Sequence, residues 1–277
     1  MGKLKFTKMQ GIGNDFVVIN ALKLSSNTLR KIKKRISSLS DRRFGIGADQ
    51  VLLVLPSKEA DFQMRIFNTD GSIAEMCGNG IRCFFKYLHD KKISTKKIIR
   101  VSTKGGIVAP RFKGKLIEVD MGTPILNCRE IPVNWDGKLI NRPLSFPDIK
   151  FMITCVSMGN PHCVVFVKSV DKFPVSIYGP RIETHHLFPH KTNVEFVELV
   201  SDDHIKMRVW ERGVGETLAC GSGASAAVVA SNLNKSTKRN VTVDLRGGTL
   251  NVFWKKKDDH VYMTGPAETV FNGEIEI

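Results

Sequence analysis

Two cysteines head glycine-rich tetrapeptides, Cys77-Gly78-Asn79-Gly80 and Cys220-Gly221-Ser222-Gly223, and each tetrapeptide runs straight into an apolar segment. A glycine-rich turn that opens a helix presents free backbone amides, backed by the helix dipole, and so attracts an anion such as a carboxylate. The same field favours a thiolate, bringing a cysteine pKa down from about 8.5 towards neutrality. A thiol that exchanges its proton near neutral pH is a general acid in one state and a general base in the other. Two such thiols on opposite sides of one carbon take a proton from one face and return one to the other, which inverts the stereocentre. The amide turns would hold the neighbouring carboxylate and grip it harder as charge spreads onto it from the α-carbon. One well-placed donor contributes roughly 3–4 kcal/mol, so several can stand in for the electron sink of a cofactor. Pyridoxal chemistry needs a Schiff-base lysine and a phosphate site, and the sequence offers no context for either.

These cysteines belong to an internal repeat. Phe62–Asn68 (FQMRIFN) is echoed by Ile205–Glu211 (IKMRVWE) at an offset of 143, and the same offset carries Cys77 onto Cys220 and Gln50 onto Asn193. Gly13-Asn14 matches Gly159-Asn160 at an offset of 146, each followed by an apolar run. Four matches in one order argue for a duplicated domain. Alternation at Phe62, Met64, Ile66 and at Ile205, Met207, Val209 predicts half-buried strands. After each Cys-Gly-x-Gly the spacing predicts a short helix apolar nearly all round, over 81–88 and 224–233, which must be enclosed on every side. The expected fold class is α+β, with two pseudo-symmetric domains, each a mixed, mostly antiparallel sheet curled around a central apolar helix. The expected boundaries put 1–122 with 266–277 in one domain, its last strand returning to the first half, and 123–265 in the other.

Composition bounds the alternatives. The 277 residues are 42% hydrophobic and 25% charged, ordinary for a globular protein and too apolar for disorder. No apolar run approaches a membrane span, and the N-terminus has neither a signal core nor a myristoylation pattern, so a cytoplasmic protein is expected. The formal charge of +15 falls in separate patches: 30–35, 91–104 and 255–257. In the first, Leu29, Ile32, Ile36 and Leu39 form a helical stripe, and the basic residues read as its solvated face rather than a nucleic-acid patch. None of the six cysteines forms a Cys-x-x-Cys pair, which argues against disulfides or a zinc site. Cys83, Cys128, Cys155 and Cys163 read as core, and His185, His186 and His190 as a surface loop. No metal is expected.

The stretches MQGIGNDF (9–16), RIFNTDGSIAEMCGNGIRC (65–83), GNPHC (159–163) and ERGVGETLACGSGASAA (211–227) resemble diaminopimelate epimerase, over nearly the whole chain. The resemblance implies a cofactor-independent two-base epimerase interconverting LL- and meso-diaminopimelate, for lysine and peptidoglycan synthesis. By position, Cys77 resembles the proton donor and Cys220 the acceptor, with His162 and Glu211 tuning the two thiols. Asn14, Gln50, Asn68, Asn160 and Asn193 match the substrate-binding amides, although turn formation also accounts for Asn14 and Asn160, which follow glycines. Arg212 resembles the ligand of the distal carboxylate, where a planar fork suits a planar anion, and Glu211 also lines the substrate. Gly78, Asn79, Gly221 and Ser222 would form the turns that hold the reacting carboxylate. Ser225 stands where the family often has a further Cys, and Phe271 where a Tyr often serves a dimer contact. A homodimer is implied, without partners in nucleic acid or membrane.

Other readings compete. Gly221–Ala226 formally matches a dinucleotide fingerprint with Asp244 beyond it, but Gly213–Thr217 is not the apolar strand that motif requires. A nucleic-acid binder has only net charge in its favour. A racemase or epimerase for proline, hydroxyproline or glutamate on the same scaffold is the closer rival; Arg212 and the many amides favour a substrate with a polar distal end.

Overall fold

A computed structural model describes residues 2–277, and in it the chain divides into two compact units. One runs to Val119 and resumes at Gly265–Ile277; the other is Asp120–Thr264.

In the first unit, β1 (Lys3–Gly11) and β2 (Asn14–Asn20) form a hairpin whose register closes at Gly11 opposite Asn14. The loop is therefore Ile12-Gly13, and both residues have positive φ, 51° and 87°. That is the twist a two-residue hairpin turn demands. A β-branched residue there is strained, and Ile12 is held by its burial. The chain then crosses through α1 (Ser26–Lys34) and α2 (Ile36–Ser40) to β3 (Gln50–Leu55), parallel to β2. The basic stripe thus lies on two helices, broken at Arg35, whose buried face is Ile32, Ile36 and Leu39. β4 (Phe62–Asn68) returns antiparallel to β3 and carries the short β5 (Ile73–Ala74). Next come α3 (Gly78–Asp90), β6 (Val101–Thr103) parallel to β4, and β7 (Gly106–Val108). β8 (Arg111–Lys113) and β9 (Leu116–Asp120) make a hairpin at the end of the segment.

The second unit repeats the plan. β10 (Arg142–Ser145) flanks β11 (Lys150–Ser157), which forms a hairpin with β12 (Pro161–Phe166). This loop has three residues, Met158 to Asn160; the larger offset there arises in the crossover that follows, which spans 31 residues from His162 to Asn193 against 34 from Phe16 to Gln50. A crossover through α4 (Val175–Glu183) leads to β13 (Asn193–Ser201), parallel to β12. β14 (His204–Glu211) is antiparallel to β13 and carries β15 (Gly215–Thr217). Then follow α5 (Gly221–Leu233), β16 (Asn240–Leu245) parallel to β14, β17 (Gly248–Trp254) and β18 (Val261–Gly265). The last strand, β19 (Glu268–Glu276), pairs antiparallel with β1. The strand orders are β19-β1-β2-β3-β4-β6-β7 in the first unit and β10-β11-β12-β13-β14-β16-β17-β18 in the second.

Each sheet is covered on both faces, which is why Phe16–Ile19 and Val51–Val54 are continuous apolar runs. On one face of the first sheet, Val17, Ile19, Val51 and Leu53 pack with Ile32, Ile36 and Leu39 of the crossover helices. On one face of the second, Ile153, Val165, Val194 and Phe196 pack with Val175 and Ile182. Cys128, Cys155 and Cys163 are part of that core. The opposite faces enclose the central helices: α3 packs on β1, β2, β3 and β19, and α5 on β11, β12, β13, β16 and β17. The buried side chains of α5 run from Ala224 to Ser231 without a break, so it has no solvent face over that span.

Candidate active site

Cys77 and Cys220 occupy the same place in the two repeats. Each is the N-cap of its central helix, with nearly the same backbone, φ −142° and ψ 113° for Cys77 and φ −131° and ψ 113° for Cys220. Gly78 and Gly221 are the first helical residues. The first turn of each helix therefore presents its unpaired amides beside a sulfur.

In the first unit, the Gly80 amide donates to Cys77 Sγ at 3.4 Å, and the Cys77 thiol donates to Asn14 Oδ1 at 3.6 Å. Asn79 Nδ2 donates to the same oxygen at 3.3 Å. Asn14 is anchored from behind, its Nδ2 donating to Asp49 Oδ2 at 2.7 Å. Asp49 belongs to an ionic cluster in which Arg42 forks onto Asp15 at 2.8 and 2.9 Å and reaches Asp49 Oδ1 at 2.7 Å. Lys8 donates to Asp15 Oδ2 at 2.7 Å and to the Gly47 carbonyl. Burial opposes ionisation of Asp15, but the hydrogen bonds from Arg42, Lys8 and the Asp49 amide prevail and hold its pKa down to about 2. Gln50 and Asn68 face each other across β3 and β4, joined by a 2.9 Å hydrogen bond from Gln50 Nε2 to Asn68 Oδ1. Gln50 Oε1 is buried and accepts from no group among the described residues. Arg82, one helical turn into α3, is wholly buried and donates to the carbonyls of Gly78 at 3.4 Å and Pro266 at 3.0 Å, tying the turn that carries Cys77 to the lead-in of β19.

In the second unit, His162 is fully buried between two oxygens. Its Nδ1 lies 2.7 Å from Glu195 Oε1 and its Nε2 3.0 Å from Asn160 Oδ1. Asn193 is spent on backbone: Nδ2 donates to the Pro161 carbonyl at 2.8 Å, and Oδ1 accepts from the Arg212 amide at 2.9 Å. It thus fixes the start of the Arg212 turn. The Arg212 guanidinium is exposed, with one bond, 3.4 Å, to the His190 carbonyl. Glu211 accepts from the Thr217 hydroxyl at 2.5 Å. Burial pushes the Glu211 carboxyl up, aided by the charge of Glu195 and opposed by Thr217, His162 and Cys220. Cys220 Sγ lies 3.5 Å from Ser222 Oγ.

The electrostatics of Cys220 correct the expectation that a helix start brings the thiol towards neutrality. Burial, then the carboxylates of Glu211 and Glu195, push its pKa well above the ordinary thiol value, outweighing the Ser222 hydroxyl and the Gly223 amide. These groups favour the thiol form of Cys220. Several groups that shape the site went unread in the sequence: Lys8, Asp15, Arg42 and Asp49 behind Asn14, Thr217 on Glu211, and Glu195 under His162. The signal available for Glu195 was a carboxylate inside the apolar run of β13, two residues after Asn193 and on the same strand face.

The sequence pattern of the diaminopimelate epimerase family matches residues 6–126 and 154–270. The chain belongs to that family. Among relatives named diaminopimelate epimerase, that of Acetivibrio thermocellus is 49% identical over 99% of both chains. That of Carboxydothermus hydrogenoformans is 51% identical over 98% of this chain and 99% of its own. Solved structures extend the fold to distant sequences. A PhzF-family phenazine biosynthesis protein of Bacillus anthracis superposes with a TM-score of 0.72 at 18% identity, over 100% of both chains. A hydroxyproline epimerase of Agrobacterium vitis gives 0.70 at 13%, over 99% of this chain and 92% of its own. As a member of the family, the chain is an α+β isomerase of the epimerase type. Among its described residues no helix is long and apolar enough to cross a membrane.

Proposed function

We propose that this protein interconverts LL- and meso-diaminopimelate by cofactor-independent two-base chemistry, with Cys77 and Cys220 as the two acid–base groups, in lysine and peptidoglycan precursor synthesis. The observation that carries the proposal is the placement of both cysteines as N-caps of equivalent helices in a duplicated fold. In the reaction, one thiolate takes the α-proton and the opposite thiol returns a proton to the other face. The negative charge left on the α-carbon spreads onto the carboxylate, which the amides of the turns at Gly78-Asn79 and Gly221-Ser222 bind. Each turnover exchanges the protonation states of the two sulfurs.

Burial and the nearby carboxylates favour the thiol form of Cys220, and a thiolate there requires somewhere for its proton to go. Glu211, itself raised by burial and hydrogen-bonded to Cys220, is suited to hold it. His162 stands ready for the same exchange, with Nε2 next to Asn160. Gln50 Oε1 offers an unused acceptor that suits an ammonium group, while Asn14, Asn68, Asn160 and Asn193 shape the surroundings. The exposed Arg212 fork supplies a partner for a distal carboxylate, which separates diaminopimelate from proline-like substrates. A homodimer and a cytoplasmic location are part of the same reading; Val270 and Phe271 expose apolar surface on β19, where a second copy could pair.

Incubation with LL-diaminopimelate in deuterated water, without added cofactor, tests the reaction. Meso product with deuterium at one α-carbon is expected. Cys77→Ala and Cys220→Ala should each abolish turnover, while Cys128→Ala, in the core of the second unit, should not. Turnover retained in either of the first two ends the two-base assignment.

A further inference from the structure

Glu195 is wholly buried on β13, and the repeat supplies an internal control for what it does. In the second unit, His162 pairs in register with Asn193, and Val164 with Glu195. In the first, Phe16 pairs with Gln50, and Val18 with Leu52. The positions that hold His162 and Glu195 in one unit thus hold Phe16 and Leu52 in the other, on the same parallel strand pair beneath the same helix start. The fold is built there from hydrocarbon; it does not require a buried acid and imidazole. The glycines of the first helical turn show the same substitution of function for packing. A Cβ at Gly80 would lie 3.3 Å from the Phe16 ring, whereas one at Gly223 would lie 2.7 Å from Glu195 Oε1. Gly223 keeps room for a carboxylate directly under the turn that Cys220 caps. The second oxygen, Oε2, is buried and accepts from no group among the described residues. An unsatisfied buried carboxylate oxygen is costly, and purely structural selection would remove it.

We propose that Glu195 is a positioning residue for proton exchange at the Cys220 end of the site: it fixes the His162 ring through Nδ1, so that His162 gains and loses its proton only at Nε2. A carboxylate accepts and cannot donate, so the 2.7 Å contact places a proton on Nδ1. The free choice then falls to Nε2, which faces Asn160. A carboxamide can turn either its oxygen or its NH2 to that nitrogen, so Asn160 serves both protonation states without movement of the ring. The ionisable groups facing Glu195 come from three elements: His162 and Cys163 on β12, Glu211 on β14 and Cys220 at the head of α5. Glu195 therefore acts on both candidate proton carriers of this end.

The inference rests on the epimerase reading, and its test separates the two. The wild-type enzyme must exchange the α-proton of LL-diaminopimelate with solvent; if it does not, the epimerase reading fails, whatever Glu195 does. Nitrogen-15 spectra of the His162 ring in the wild type should show a protonated Nδ1, and an unprotonated Nδ1 overturns the role of Glu195 independently of activity. Glu195→Gln keeps the shape but lets an NH2 face Nδ1. It should lower kcat about 10–100-fold, the usual size of an orienting partner's effect. KM should stay within about twofold, the pH–rate profile should shift, and the ring should populate both tautomers. Wild-type kcat with an unchanged profile, or a change in KM alone, overturns the proposal. The double variant His162→Phe with Glu195→Leu copies the first unit. It should fold with wild-type thermal stability and have no exchange activity, since hydrocarbon commonly replaces a buried ion pair without loss of stability. Failure of that variant to fold makes the pair structural and also overturns the proposal.

Discussion

Asp15→Asn tests whether the ionic cluster behind Asn14 is a working part of the site or incidental surface charge. Asp15 ionises at about 2 in the folded protein against an ordinary 3.8. At 1.36 kcal/mol per unit, the difference stabilises the native state by about 2 kcal/mol at neutral pH. A depressed carboxylate contributes fully above its unfolded pKa, and the contribution disappears as pH falls through the folded one. Linkage therefore puts nearly half of it already lost at pH 3. Removing the charge also strands Lys8, whose side chain is only 9% exposed, against the Gly47 carbonyl. Arg42 keeps Asp49 and offsets part of the loss. Urea unfolding of wild type and Asp15→Asn should differ by about 2–3 kcal/mol at pH 7, and the gap should narrow by about 1 kcal/mol at pH 3. Catalysis should fall as well, since Asp15 holds the Asp49 amide at 2.8 Å and Asp49 holds Asn14, the Cys77 partner. A gap below about 0.5 kcal/mol at pH 7, as for an ordinary surface pair, refutes the reasoning. So does a gap that stays constant down to pH 3.

Three further outcomes follow from the site. Glu211→Gln removes a charge that raises the Cys220 pKa, so the thiolate fraction should rise; iodoacetamide labelling of Cys220 at pH 8, read by peptide mass spectrometry, should be faster than in wild type. Gly223→Ala drives a Cβ to 2.7 Å from Glu195 Oε1 and should cost about 1–3 kcal/mol, whereas Gly80→Ala, at 3.3 Å from a Phe16 ring carbon, should cost less. Equal losses in thermal melts would contradict that ordering. Phe271→Asp on β19 should shift sedimentation towards the monomer if that strand pairs with a second copy; an unchanged coefficient removes β19 from the interface.

The duplicated architecture was legible because it is written in features that survive divergence: a strand alternation, a Cys-Gly-x-Gly helix start and a Gly-Asn turn, each occurring twice at nearly one offset. Both central helices were visible from apolar residues on all sides, although their starts lie three residues earlier than periodicity indicated, at Gly78 and Gly221. Periodicity sees side chains, and these first turns are made of glycine and small polar residues. The two thiols, His162 and Glu211 could be named from sequence, but not what holds them. Glu195 reaches His162 from a neighbouring strand, and Asp15 and Arg42 meet from positions 27 residues apart. Such pairs depend on register and crossover, which no local pattern encodes. The protonation of Cys220 was unreadable for a related reason: a helix start favours thiolate, and only the enclosing carboxylates reverse the sign.

Where the two units agree, they give the scaffold; where they differ, they give the chemistry. By the same offsets, Phe16, Leu52, Asn68 and Arg82 of the first unit correspond to His162, Glu195, Glu211 and Ser225 of the second. The first unit thus sets a wholly buried cation one turn beyond its cysteine, while the second sets two carboxylates around its own. An epimerase must take a proton on one face and give one on the other, so two identical environments would leave both sulfurs in the same protonation state. Duplication places the thiols at matching helix starts; exchanging Glu195 and Glu211 for the first unit's Leu and Asn should therefore lower the Cys220 pKa. Labelling rate against pH reads that shift directly, and an unchanged Cys220 profile in the double variant would show that burial alone, not the carboxylates, keeps this thiol protonated.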